Sequence, residues 1–238
     1  MGEGKFDGEP HPKLRIVADL FPEDLNLVMP KGTTIADLGD VEGKRVGIAQ
    51  AGSVTQVAVL RMLDAWGVNR DNMDEAELSN SQSAERLADG QIDAYFYAAS
   101  WPVAAMVQLA STKGMSLHSL TEEDLAKINE VIPAYIPSKI PGGVYEGVDS
   151  DVLTPAVSAM LLVSADQSDE LIYGLTKALW NDNTRKLLDN GHAKGKQITP
   201  DTAFDGGAAL GVPLDAGAEK FYKEAGLLKQ SPISFPEI

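Results

Sequence analysis

Val46-Gly47-Ile48-Ala49-Gln50-Ala51-Gly52-Ser53-Val54-Thr55-Gln56 is a short β-type run that breaks at a small-residue turn and passes directly into a long amphipathic stretch. Taken alone it reads as an ordinary strand-to-helix turn with Ser53 as N-cap. It also has the makings of an anion site. The backbone N–H groups of a first helical turn have no intrahelical acceptor, and the positive end of the helix dipole adds to them.

Working outward, Val57, Leu60, Met62, Leu63 and Trp66 predict one apolar helix face, stopped by Gly67. The cycle then repeats. Glu75 to Leu78 predicts a strand, Ser79-Asn80-Ser81 offers caps, Ala84 and Leu87 give a short helix, and Gly90 ends it. Ile92 to Tyr97 predicts the next strand, after which Ala98-Ala99-Ser100-Trp101-Pro102 leads into an apolar helix with Pro102 in its first turn. Strands alternating with helices imply βαβ units and a largely parallel sheet, hence an α/β fold.

Upstream, the opening ten residues read as loop, and Leu14 to Leu20 and Asn26 to Met29 predict two short strands with Phe21-Pro22-Glu23 turning between them. Downstream come a strand at Met115 to Leu117 and a helix from Thr121 through Val131. Pro133 to Pro155 reads as irregular, a segment that crosses between lobes, lines a ligand site or is a plain surface loop. Val157 to Val163 predicts an apolar strand. Ser168 caps an amphipathic helix with Leu171, Leu175, Ala178 and Leu179 as its core face, and shorter helices follow near Thr184, Thr199-Pro200 and Ala216 to Ala225.

The chain has 238 residues, 44% of them hydrophobic, enough for one large or two small domains. A net charge of −15 argues against nucleic acid or an anionic membrane as partner, because both would be repelled at long range. The absence of cysteine excludes disulfides, thiolate catalysis and Cys-type zinc sites. No apolar run is long enough to span a membrane. Met1 to Pro10 lacks the basic start and apolar stretch of a secretory signal.

Chemistry-bearing motifs are few. His11, His118 and His192 have no partners at metal-ligand spacing. The Gly-x-Ser-x-Gly nucleophile elbow is absent around Ser53, where the string is Gln50-Ala51-Gly52-Ser53-Val54. Gly43-Lys44 lacks the Walker spacing, and Gly142-Gly143 is no dinucleotide fingerprint. No metal or cofactor is implied. Two helix starts after successive strands, at Ser53 and Ser100, would face one crevice if those strands are neighbours, with Tyr95, Phe96, Tyr97 and Trp101 clustered beside it. Donors without a general base or nucleophile suggest binding rather than turnover.

The string Leu38 to Gln56, then Asp89-Gly90-Gln91-Ile92-Asp93-Ala94, Ile140-Pro141-Gly142-Gly143-Val144-Tyr145, and Val212-Pro213-Leu214-Asp215-Ala216-Gly217-Ala218 with Phe221-Tyr222, follow one another in family order. In these motifs the chain resembles the TAXI-type solute-binding proteins of TRAP transporters. The resemblance implies a two-lobe type II periplasmic binding fold with mixed, largely parallel sheets and a ligand cleft between lobes. It divides the chain into 1–30 (part of lobe I with a crossing strand), 31–155 (lobe II) and 156–238 (return to lobe I). It implies a periplasmic, monomeric, non-enzymatic protein without cofactor, which binds a small carboxylate such as glutamate, glutamine or 2-oxoglutarate and delivers it to TRAP permease subunits.

The chain departs from the family pattern at Val54, where glycine is usual, and at Asp215-Ala216, where His-Pro is usual. It also starts after the family's signal peptide and first-lobe Gly/Ser-rich segment, which leaves open a fragment without function. Other open readings are an ABC-importer binding protein for a sulfonate- or nitrate-type anion and an enzyme on the same fold. The expected ligand site is Gly52, Ser53, Val54, Thr55 and Gln56 as carboxylate donors, with Ser100, Trp101 and Tyr145 shaping the cleft. Gln56 as a solvated helix residue and Tyr145 as a loop anchor stand as equal alternatives.

Overall fold

The structure, a computed structural model, describes residues 11–203 and 211–228; the loop expected over the first ten residues lies outside them. The strands among the described residues are β1 (Leu14–Pro30), β2 (Arg45–Gly47), β3 (Asp74–Ala76), β4 (Ala94–Ala99), β5 (Met115–Leu117), β6 (Ile136–Ile140) and β7 (Val152–Ser164). The helices are α1 (Val54–Ala65), α2 (Asn80–Ala88), α3 (Ala104–Thr112), α4 (Glu122–Val131), α5 (Asp169–Leu179), α6 (Asp182–Gly191) and α7 (Ala216–Glu224).

The sheet runs β3-β2-β4-β1-β7-β6, with β5 also on β1. It is mixed. β2 is parallel to both β3 and β4, while β1 pairs antiparallel with β4 and β5, and β6 antiparallel with β7. The parallel part is therefore confined to the βαβ units that the alternation of elements announced.

Two expectations give way here. The turn at Phe21-Pro22-Glu23 does not form, and β1 runs unbroken through it for 17 residues. Proline's fixed φ suits extended chain and costs only the N–H. Burial on both sides decides the matter, since Leu25, Leu27 and Met29 enter one core while Val28 enters another. Pro133 to Pro155 likewise contains β6 and the start of β7, with Pro137 opposite Pro155. β6 ends the strand order, so its proline N–H is not missed by a neighbour on the outer side.

The chain divides into two compact units, residues 22–158 and residues 1–21 with 159–238. It passes from one to the other within β1 and returns within β7. In the unit of residues 22–158, α1 and α4 fill one core with Leu25, Leu27 and Phe96. α2 and α3 fill a second with Val28, Tyr95 and Tyr145. Arg45 ties the first residues of the parallel strands together. Its Nη2 meets Asp93 Oδ1 at 2.6 Å, its backbone N–H meets Asp93 Oδ2 at 2.9 Å, and this pairing holds the Asp93 carboxyl below the usual carboxylate range.

The other unit packs α5 on α7 around Val17, Ala18, Ile172, Ala218 and Tyr222. A Cβ on Gly217 would lie 2.2 Å from the Asp169 carbonyl oxygen, so the two helices approach closely only because that residue is glycine. This contact selects the buried side of α5. Ile172 and Thr176 face inward, while Leu171 and Leu175, expected in the core, are 54% and 37% exposed. No helix among the described residues is long and apolar enough to cross a membrane.

Candidate functional site

β2 has a parallel neighbour on each side, and the helices that follow β2 and β4 pack in different cores, α1 in one and α3 in the other. Helices leaving adjacent parallel strands for opposite faces open a crevice at the strands' carboxyl ends, where α/β sheets bind ligands. The strands that precede Ser53 and Ser100 are thus neighbours, as the crevice argument required.

At the end of β2 the turn carries Ala49 at φ 69°, the one non-glycine residue with positive φ among the described residues, followed by Gly52 at φ 70°. An alanine there is strained, and such strain collects at functional turns. Ser53 caps α1, its Oγ accepting the Gln56 N–H at 3.1 Å. Gln56 is not a solvated helix residue. It is 7% exposed, its Oε1 accepts the Gly52 N–H at 2.8 Å, and its Nε2 donates to Glu77 Oε1 at 2.8 Å.

These bonds redistribute the expected donors. Gly52, Ser53 and Gln56 have backbone N–H groups engaged within the turn, with Ser53 N–H on the Gln50 carbonyl at 3.0 Å. The first-turn N–H groups of Val54 and Thr55 have no acceptor among the described residues, and the Val54 side chain is 73% exposed. The N–H groups left open at this turn are therefore those of Val54 and Thr55, and the bonds of Gly52, Ser53 and Gln56 frame them. Buried Gln56 also displaces Val57, which is 48% exposed rather than in the core face.

At the end of β4 the helix starts later than Pro102. α3 begins at Ala104 with Val103 as a cap that offers no side-chain hydrogen bond, and the Trp101-Pro102 peptide is cis. Ser100 does not cap it. Its Oγ donates to the Pro22 carbonyl at 3.4 Å, binding the end of β4 to β1. Trp101 is half-buried against the core shared by α2 and α3.

Of the two readings of Tyr145, its contacts are those of the anchor. It is 1% exposed, and its hydroxyl accepts the Val103 N–H at 3.1 Å. Burial pushes the pKa of that hydroxyl up to about 12. The Gly142-Gly143 string serves this anchor, since a Cβ on Gly142 would lie 2.2 Å from the Asp149 carbonyl oxygen.

Two groups near the crevice carried no sequence motif. Glu77 follows β3, the third parallel strand, and its position one residue past a strand end is the trace that could have found it. Asp24 and Asn26 alternate with Leu25 and Leu27 on β1, which places them on the face of Tyr95 and Tyr97. Ser138 Oγ donates to Asp24 Oδ1 at 2.6 Å, and Asn26 Nδ2 donates to the Asp24 and Tyr97 carbonyls at 2.8 and 3.2 Å. Asp24 is fully buried and Asn26 is 4% exposed, so this is an internal polar layer under the end of β4.

Among the described residues no group of three His, Cys, Asp or Glu side chains could hold a metal ion.

The architecture is that of the type II periplasmic binding proteins. It is similar to the periplasmic sulfonate-binding protein SsuA of a sulfonate ABC transporter from Methylobacillus flagellatus KT, at 13% identity and a TM-score of 0.50, over 91% of this chain and 71% of that one. The Escherichia coli aliphatic sulphonate binding protein SsuA aligns at 13% identity, TM-score 0.41, over 89% of this chain and 56% of its own. The arginine-, lysine-, histidine-binding protein ArtJ from Geobacillus stearothermophilus aligns at 12% identity, TM-score 0.42, over 78% and 62%. The chain thus spans less than two thirds of the last two. Residues 1–226 match the NMT1-like family, and the chain belongs to it.

Proposed function

We propose that the protein is the extracytoplasmic solute-binding subunit of a TRAP-type transporter of the TAXI kind. It captures a small carboxylate of the glutamate, glutamine or 2-oxoglutarate class as its two lobes close, and hands it to an ion-gradient-driven permease. Closure of this kind is a population shift driven by tighter binding to the closed state. The observation that carries the reading is the pair of open N–H groups at Val54 and Thr55, at a strain-bearing turn on the carboxyl side of β2. On a chain of net charge −15 an anion is not drawn in from a distance, so capture falls to local backbone donors and the α1 dipole. Gly52, Ser53 and Gln56 hold the turn in shape, and Ser100 and Trp101 border the crevice from β4.

Thermal unfolding against L-glutamate, L-glutamine, 2-oxoglutarate, C4 dicarboxylates, alkylsulfonates and nitrate tests the reading. A ligand that binds only the folded state at about 100 times its Kd adds about 2.7 kcal/mol. For a chain of this size that raises Tm by roughly 5–10 °C. A shift with a carboxylate supports the proposal. A shift with a sulfonate or nitrate alone moves the assignment to an ABC-type anion importer, and uptake that survives an uncoupler but not ATP depletion does the same. No shift with any of them rejects the ligand class.

A further inference from the structure

We infer that Tyr145 is a positioning residue for the crevice end of α3, its hydroxyl performing from 42 residues away the task that a capping-box side chain performs locally. The inference rests on the solute-binding reading of the crevice and adds to it the element that sets its β4 side.

The protein supplies its own comparison. At the start of α2, Gln82 Oε1 accepts the Ser79 N–H at 3.0 Å while Ser79 Oγ accepts the Gln82 N–H at 3.4 Å. At the start of α4, Asp124 Oδ2 accepts the Thr121 N–H at 2.9 Å while Thr121 Oγ1 accepts the Asp124 N–H at 3.1 Å. Both are capping boxes, in which the cap residue and the third helical residue satisfy each other. α3 has neither half. Its cap is Val103, and its third residue is Met106, whose thioether is a weak acceptor.

Tyr145 stands in that gap. Its hydroxyl accepts the Val103 N–H at 3.1 Å and donates to Met106 Sδ at 3.9 Å, touching the two positions that a box would join. Met106 is fully buried and Tyr145 is 1% exposed, while Val103 is half-buried, so the acceptor side of the bond lies in the core. The tyrosine is itself held by its loop. Gly142 N–H donates to Asp151 Oδ1 at 3.0 Å, Gly143 N–H to the Val148 carbonyl at 2.8 Å, and Val148 N–H to the Tyr145 carbonyl at 3.1 Å. That loop joins β6 to β7. The start of α3 therefore takes its register from the β6–β7 hairpin, not from its own sequence, and β7 is one of the two strands by which the chain passes between its units.

The test reads amide hydrogen exchange residue by residue in Tyr145→Phe, which keeps the ring that fills the core. Exchange at Val103 is expected to rise about tenfold, the worth of one net hydrogen bond, while the Ser79 and Thr121 amides stay as they were. Tyr95→Phe, which removes from the same core a buried hydroxyl with no hydrogen-bond partner among the described residues, leaves Val103 unchanged. Adding Met106→Gln to Tyr145→Phe builds the missing acceptor into α3 and restores protection at Val103. Unchanged exchange at Val103 overturns the inference, as does an equal loss at Ser79 and Thr121, which would mean general destabilisation. Calorimetric titration with L-glutamate separates the functional half. Weaker binding in Tyr145→Phe, recovered in the double variant, supports it, and equal binding overturns it. Failure of the unsubstituted protein to bind L-glutamate counts against the ligand reading and removes this half with it, while the exchange result still decides the positioning role.

Discussion

Ser53 and His118 show how a single side chain sets local behaviour. Ser53 Oγ is the only side-chain acceptor given to the first turn of α1 among the described residues, and losing such a cap costs about 1 kcal/mol. Ser53→Ala should lower Tm by roughly 2–4 °C and weaken carboxylate binding. A calorimetric affinity equal to that of the unsubstituted protein removes Ser53 from the site while leaving it a cap. His118 makes a different prediction. Its Nε2 is buried with no partner among the described residues, and burial lowers its pKa below the usual 6.5 despite Asp124, Asp37 and Asp40 nearby. The unfolded chain therefore takes up the proton first as pH falls, and stability present above pH 6.5 drains away as pH descends toward the lowered value. His118→Gln should flatten the fall in Tm between pH 7 and pH 5, and a parallel profile in both proteins would falsify this assignment.

At the scale of elements, the turn between β2 and α1 is built by residues from two strands. Glu77 just past the end of β3 holds Gln56, and Gln56 in turn holds Gly52, so the turn is braced through a carboxylate. Glu77→Gln keeps an acceptor for Gln56 and removes the charge. Carboxylate affinity should rise about two- to fivefold at low salt, in line with the modest worth of exposed charges, and the gain should shrink in salt. A loss of affinity would mean that Glu77 contacts a cationic part of the ligand. The motifs that carry the family resemblance turn out to hold elements together. Asp93 clamps Arg45, Gly142 lets the loop pass Asp149, Tyr145 secures α3, and Gly217 lets α7 meet α5.

At the scale of the whole molecule, the described residues of the two units differ in how much they bury. The unit of residues 22–158 holds clusters of 19 and 13 buried apolar residues among those described, against 6 in the other. Local opening follows buried contact, so amides of α5, α6 and α7 should exchange through openings of lower free energy than those of α1, α4 and β4. Hydrogen exchange in native conditions decides this. Uniform protection would mean that the chain unfolds as one body. The exposed Leu171 and Leu175 belong to the unit of residues 1–21 and 159–238, where α5 turns Ile172 and Thr176 inward instead.

Sequence by itself determined the punctuation of this protein. The helix stops at Gly67 and Gly90, the caps at Ser53, Ser79 and Ser168, and the βαβ rhythm that places a small-residue turn after β2 are all local preferences that a few neighbouring residues express. Tertiary structure decided whatever depends on a second element arriving. Pro22 stays in a strand because β1 runs on into Leu25 to Met29, which are buried on both faces, Gln56 is buried because Glu77 reaches it, and Tyr145 serves α3 because its loop lies against that helix. A turn or cap is settled by bonds within a few residues, but the burial of a face and the partner of a polar atom are settled by whichever surface excludes water from it, and no local pattern contains that surface.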